Sequence, residues 1–265
     1  MLQLLYMDKG WVLITGGTSG IGLAFAKELA AVGGNLVLVS VDDDSEKVAI
    51  DLRKKFDVEV EIIRADLAKM DDVEIVRRRL TDAEKPVGVL INCAGFVLRD
   101  SLVHGDLARQ RAAFAVMAEA ILILSQTAAD VMKKRGHGAI INVSSTSAWL
   151  FNGNYSAIKS WVVTYTKSLA LELSDANLRV AVVCPGQTKT DFHKRGGVKS
   201  PKIPSWLLCT PKEVAHAGLL AAAKGKTIFV PTFKWRLFAF LCRHFRCFAT
   251  SRSRKRVAEI NVRDD

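Results

Sequence analysis

Short apolar runs alternate with longer stretches of helical period along most of this chain. Trp11–Thr15, Leu36–Val39, Val58–Arg64, Val87–Ile91, Ala139–Val143, Arg179–Cys184 and Thr227–Val230 read as strands, mostly apolar on both sides, as a sheet covered on two faces requires. Between them the period lengthens to that of a helix: the stretch ending near Val32, Glu46–Phe56, Lys69–Thr81, Asp106–Lys134, Tyr155 to about Ser174, and Pro211–Ala223. Each connection has room for a crossover helix, which parallel pairing needs. The pattern predicts an α/β fold, a doubly wound parallel sheet of about seven strands in a single domain.

Composition changes this picture only at the C-terminus. The 265 residues are 49% apolar, which suits one globular domain and excludes a disordered chain. The net charge is +11, but residues 231–265 hold nine Lys/Arg against three Asp/Glu, leaving +5 for the rest. The basicity therefore belongs to an extension, residues 232–265, appended to a domain of residues 1–231, and the fold as a whole is not expected to bind nucleic acid. Five cysteines without a Cys-x-x-Cys pair read as reduced thiols of a cytoplasmic protein. The five histidines lack metal-ligand spacing, so no metal is expected. Residues 1–8 are too short for a secretory signal, and no run of 18 apolar residues marks a membrane-spanning helix.

Candidate chemistry gathers at the predicted strand ends. After Thr15, the run Gly16-Gly17-Thr18-Ser19-Gly20-Ile21-Gly22 leads into a helix, and small residues at a helix N-terminus suit close approach to a pyrophosphate. Ser40 and Val41 end the second strand where an acid would select NAD; the missing acid leans toward NADP, although Asp42-Asp43-Asp44 follow and leave NADP or NAD open. Asp66 lies past the third strand, either to meet an adenine amino group or to cap the next helix. Asn92-Cys93-Ala94-Gly95 ends the fourth strand with small residues. Ser145 follows the fifth. Tyr155 and Lys159, four apart, share a helix face, so the ammonium favours the phenolate and the tyrosine becomes a proton donor and acceptor near neutral pH. Pro185-Gly186 ends the sixth strand, and residues 188–208, with Thr190, read as a substrate lid.

Taken together, Thr15-Gly-x-x-x-Gly-Ile-Gly22, Asp66, Asn92-x-Ala-Gly95, Ser145, Tyr155-x-x-x-Lys159 and Pro185-Gly186 with Thr190 resemble the short-chain dehydrogenase/reductase family over about residues 8–231. The resemblance implies a Rossmann-like domain, often a homodimer or homotetramer, that interconverts a carbonyl and an alcohol with an NAD(P) cofactor. It implies Tyr155 as general acid or base, Lys159 on the nicotinamide ribose and beside the tyrosine, and Ser145 on the substrate oxygen. It further implies Gly16, Ser19, Gly20, Ile21 and Gly22 along the pyrophosphate, Ser40, Asp66, Asn92, Ala94 and Gly95 toward the adenosine side, and Pro185, Gly186 and Thr190 at the nicotinamide. Two departures stand out. Met117 occupies the position where the family usually has a relay asparagine, and ten residues separate Ser145 from Tyr155, a short loop for the family. Met117 favours the rival reading, a cofactor-binding sensor or scaffold with little catalysis; the intact Ser145, Tyr155 and Lys159 favour the enzyme.

On the shortened loop, Trp149, Leu150 and Phe151 are expected to form an apolar wall or to pack beneath the lid. In the extension, helical spacing gives an apolar face of Leu237, Phe238, Leu241, Phe245 and Phe248, with Lys234, Arg243 and Arg246 outside it. Such a helix either packs on the core or a partner subunit, or lies on an anionic membrane surface; in the second case a lipophilic substrate and a peripheral membrane location follow.

Overall fold

The computed structural model describes residues 10–190, Phe192 and residues 204–261, with side chains described as far as Arg254. Most of the expected lid, residue 191 and residues 193–203, lies outside the described residues, as do the two termini.

Seven parallel strands form one sheet in the order β3-β2-β1-β4-β5-β6-β7: β1 Trp11–Thr15, β2 Asn35–Ser40, β3 Val60–Arg64, β4 Val87–Asn92, β5 Gly138–Val143, β6 Leu178–Val183 and β7 Ile228–Phe229. The helices are α1 Gly20–Ala30, α2 Ser45–Phe56, α3 Met70–Leu80, α4 Leu107–Phe114, α5 Ala120–Arg135, α6 Asn154–Glu172, α7 Pro211–Ala223, α8 Phe233–His244 and α9 Arg246–Asn261. The doubly wound parallel sheet expected from the alternation is therefore present.

Period-2 alternation sends Val12 and Ile14 to one face of β1 and Trp11 and Leu13 to the other, and both sets are buried. The first face packs Phe25 and Leu29 of α1, Leu52 of α2 and Leu219 of α7. The second packs Val76 of α3, Leu124 and Ala128 of α5 and Leu169 of α6. Burial on both faces explains why the strands read as unbroken apolar runs.

The stretch expected as one helix from Asp106 is continuous but irregular: α4 passes into α5 through a π-helical turn, Ala115–Glu119, centred on Met117. Across Leu107–Arg135 the chain is long and apolar enough to cross a membrane by length and composition, which counting strictly apolar runs did not reveal. Half of that apolar window is buried against the rest of the fold, the pattern of a core helix.

The extension departs further from its predicted shape. It is two helices broken at Phe245, and α8 turns Trp235, Phe238, Ala239 and Cys242 inward. Leu237 and Phe245, placed on the apolar face by spacing, are half exposed.

Candidate active site

All parallel strands end on one side of the sheet, and the order places β1 and β4 side by side at its centre. A crevice must open there, because the chain leaves β1 toward β2 and β4 toward β5 in opposite directions. A cavity of about 1370 Å³ follows this line, with Gly16, Ser40, Asp66, Ala94, Ser145, Tyr155, Lys159 and Gly186 in its wall.

The β1–α1 turn is shaped by what a side chain would strike. Gly16 and Gly20 have φ of +65° and +52°, which disfavours any residue with a Cβ. At Gly22 a Cβ would lie 2.1 Å from the Gly16 carbonyl oxygen, so the helix can start this close to the turn only with glycine. Thr15 Oγ1 accepts from the backbone N–H groups of Cys93 and Ala94, both at 3.0 Å, tying the β1 and β4 loops together. Ser19 occupies the N-cap of α1 without a side-chain capping bond, and no acid lies in the first turn, so the N–H groups and positive end of the helix face the cavity undiminished. The cradle therefore fits a pyrophosphate.

At the β2 end, Ser40 lines the cavity within a network that spacing alone does not mark: Thr18 Oγ1 lies 2.8 Å from Ser40 Oγ and donates to Asp42 Oδ2 at 3.1 Å. Asp66 also lines the cavity. It does not cap α3, whose N-cap is Lys69; its carboxylate accepts from the Ala68 N–H at 3.0 Å and turns the loop.

Asn92 corrects the sequence expectation. Its side chain lies behind the wall, donating to Ser125 Oγ at 3.0 Å and Asn142 Oδ1 at 2.9 Å, while Asn142 Nδ2 donates to Thr166 Oγ1 at 2.9 Å. This buried network joins β4, β5, α5 and α6 beneath the cavity, and its satisfied amides position the strand ends. Asn92 thus supports Cys93, Ala94 and Gly95, which do line the cavity.

Ser145 caps a short 3₁₀ turn, Thr146–Trp149; its Oγ accepts from the Ser147 N–H at 3.1 Å. With a lone pair so used, the hydroxyl hydrogen can point into the cavity, the orientation that donation to a substrate oxygen needs. Gly153, at φ +74°, turns the chain into α6. Tyr155 stands in the first turn of α6 with Phe192 6.4 Å away between ring centroids, and Lys159 Nζ lies 5.8 Å from the Tyr155 ring centroid.

Lys159 is 5% exposed, and burial lowers its pKa to about 8. Its Nζ donates to the Val143 carbonyl at 3.1 Å, and the Ser144 hydroxyl donates to the Lys159 carbonyl at 2.7 Å. The space beside it is apolar. A Cβ at Gly95 would lie 2.9 Å from Met117 Sδ and 3.9 Å from Lys159 Nζ, and the neighbouring Cys93 and Cys184 thiols are each pushed up to about 12 by burial. The Met117 thioether therefore stands near Lys159, and it cannot donate a hydrogen bond.

The comparisons agree with this geometry. A family model for short chain dehydrogenases matches residues 10–198. The galactitol 2-dehydrogenase (L-tagatose-forming) of Cereibacter sphaeroides is 29% identical over 231 residues, 82% of this chain and 89% of the relative. The 2,3-dihydro-2,3-dihydroxybenzoate dehydrogenase of Bacillus subtilis is 30% identical over 225 residues, 78% of this chain and 86% of the relative. A short-chain dehydrogenase from Sphingobium yanoikuyae, solved in complex with NADPH, superposes with a TM-score of 0.80 at 28% identity, covering 90% of this chain and 95% of its own. The chain belongs to the short-chain dehydrogenase family and is an NAD(P)-dependent oxidoreductase acting between carbonyls and alcohols. The reading as a scaffold with little catalysis is not favoured.

Proposed function

We propose that this enzyme reduces apolar ketones or aldehydes, and oxidises the matching alcohols, through Ser145, Tyr155 and Lys159. The observation that carries the reading is convergence: these three line one end of a cavity whose other end is a glycine cradle at the α1 N-terminus. NADPH, found with the Sphingobium relative, or NADH supplies the hydride when bound. Gly16, Ser19, Gly20, Ile21 and Gly22 would hold its pyrophosphate, Ser40, Asp66 and Ala94 its adenosine side, and Pro185, Gly186 and Thr190 its nicotinamide half. Any 2′-phosphate would meet Asp42, already bonded to Thr18.

Ser145 donates to the substrate oxygen and withdraws charge as the carbonyl is reduced. The Tyr155 hydroxyl gives that oxygen its proton. The Lys159 ammonium favours the negative charge left on the phenol oxygen. Phe96, Leu98, Leu150, Leu207, Trp235 and Phe238 give the cavity apolar walls, which suits a lipophilic substrate. Oxidation of NADPH or NADH over a panel of aryl and alkyl carbonyls tests the reading. The expected result is cofactor consumption that depends on the carbonyl; cofactor binding with no carbonyl consumed contradicts it.

The reading extends to location: a cytoplasmic enzyme, a homodimer or homotetramer as the family implies, that visits a membrane surface. On the outer side of α8, Phe233, Leu237 and Phe240 form an exposed stripe flanked by the exposed Arg236, Arg243 and Arg246. No Asp or Glu occurs between Glu213 and Glu259. A two-fold contact between copies would press this basic patch against itself, whereas an anionic bilayer complements it, at about 1 kcal/mol per basic residue near the surface. The full-length protein is expected to float with phosphatidylserine vesicles at low salt, and Phe233→Ser with Phe240→Ser to remain at the bottom. Failure of the wild type to float at low salt rules the membrane reading out.

A further inference from the structure

The C-terminal helices line this cavity through Lys234, Trp235, Phe238 and Arg252. The Trp235 ring lies so close over Gly186 that a Cβ there would come within 2.1 Å of it, and Trp235 Nε1 donates to the Leu207 carbonyl at 2.9 Å. Ser253 Oγ accepts from the Phe151 N–H at 2.9 Å and donates to the Ala249 carbonyl at 2.9 Å. That pair of bonds fastens α9 to the loop between Ser145 and Tyr155, and Arg252, the exposed neighbour of Ser253, lines the cavity as Leu150 and Asn152 do.

Charge divides this cavity into two ends. Among the described residues that line it, the acids are Asp42 and Asp66, which follow β2 and β3 on one side of β1. Tyr155 and Ser145 follow β5 on the other side, and there the lining includes Lys234 and Arg252 but no carboxylate. Lys234 is anchored, donating to the Trp206 carbonyl at 3.3 Å with its Nζ 4.5 Å from the Trp206 ring centroid. Asn152 lines the same end, and its buried Oδ1 has no hydrogen-bond partner among the described residues. That amide can turn its Nδ2 into the cavity without losing the bond from its backbone N–H to Ser156 Oγ.

We infer that the substrate carries a carboxylate as well as the carbonyl: an apolar keto acid or its hydroxy acid, with the carboxylate held by Arg252, supported by Lys234 and Asn152. The inference rests on the reading of the cavity as a carbonyl reductase site. A guanidinium pairs a carboxylate through two charge-assisted bonds, and the cavity's apolar lining leaves the body of the substrate to hydrophobic contact. Arg252 is then a specificity-determining residue that the dinucleotide fold itself does not supply.

Calorimetric titration of the full-length protein loaded with NADP⁺ tests this, with para-acetylbenzoate and its methyl ester as probes. The acid is expected to bind about tenfold tighter than the ester or better. Arg252→Gln should bring the two within about twofold, raise KM for the acid with kcat retained, and leave NADP⁺ affinity unchanged. An ester that binds wild type as tightly as the acid overturns the inference, and so does a loss of NADP⁺ affinity in Arg252→Gln, because the guanidinium would then serve the cofactor. Neutral carbonyls reduced as well as acids would leave the reductase reading standing while this one falls. Tight acid binding without turnover would uphold the charged pocket while the reductase reading falls.

Discussion

Tyr155→Phe lowers kcat for carbonyl reduction about a thousandfold and leaves NADPH binding and the melting temperature near wild type. The change removes one oxygen. The ring remains beside Phe192, and the backbone bonds of the first α6 turn do not depend on the phenol. What is lost is the donor that protonates the substrate oxygen. Ser145 can still polarise that oxygen, because its Oγ is oriented by the Ser147 N–H. A residual rate above solution is therefore expected, as when one member of a cooperating group is removed. Steady-state kinetics with a cofactor titration check this. A variant retaining a tenth or more of the wild-type kcat would place the proton donor elsewhere.

Lys159→Met lowers activity and raises stability. The ammonium is buried among Val143, Met117, Cys93 and Cys184, and burial depresses its pKa from 10.5 to about 8. Holding the charge in the folded state costs on the order of 3 kcal/mol relative to an ordinary lysine. In the unfolded chain the lysine keeps its proton to about pH 10.5, so between about pH 8 and 10.5 the unfolded state binds more protons. The cost is thus fully present below pH 8, and the folded state gains ground as pH rises through that window. Methionine removes the buried charge at similar volume, so the neutral-pH melting temperature should rise by about 2–4 °C per kcal/mol recovered, and this pH-dependent gain should vanish. Activity falls about 10²–10³-fold, because no cation then favours charge on the phenol oxygen. In wild type the reductive rate should decline as pH rises through about 8, where Lys159 loses its proton. Melting curves and rates from pH 6 to 10.5 measure both effects; a destabilised Lys159→Met with a flat wild-type rate profile would contradict them.

The sheet and the glycine cradle were legible because their signals are local. A buried parallel strand is apolar on both faces, and a dinucleotide turn excludes Cβ at fixed offsets, as Gly22 against the Gly16 carbonyl illustrates. Where a side chain points depends on its neighbours across the sheet, and there the reading was weaker. Asn92 sits at a strand end that reads as cofactor contact; only the register that sets it against Asn142 turns it into the buried network. Spacing puts Met117 in the long helix, but the π turn around it leaves no local trace. In the tail, periodicity found a helix and missed its orientation, because the inner face is selected by the Gly186 gap and the Leu207 carbonyl that receive Trp235. Arg252 read only as part of a basic run, since nothing near it in sequence reveals that Ser253 meets Phe151, 102 residues away.

The central claim is that the cavity carries out hydride transfer coupled to protonation by Tyr155. Reducing an aryl ketone with nicotinamide cofactor deuterated at the transferring carbon, and analysing the alcohol by mass spectrometry, tests it most directly. The account predicts one deuterium on the carbinol carbon with wild type, and the same label formed far more slowly with Tyr155→Phe. Cofactor oxidation that leaves the alcohol unlabelled, or labelled alcohol formed equally fast by both proteins, would contradict it.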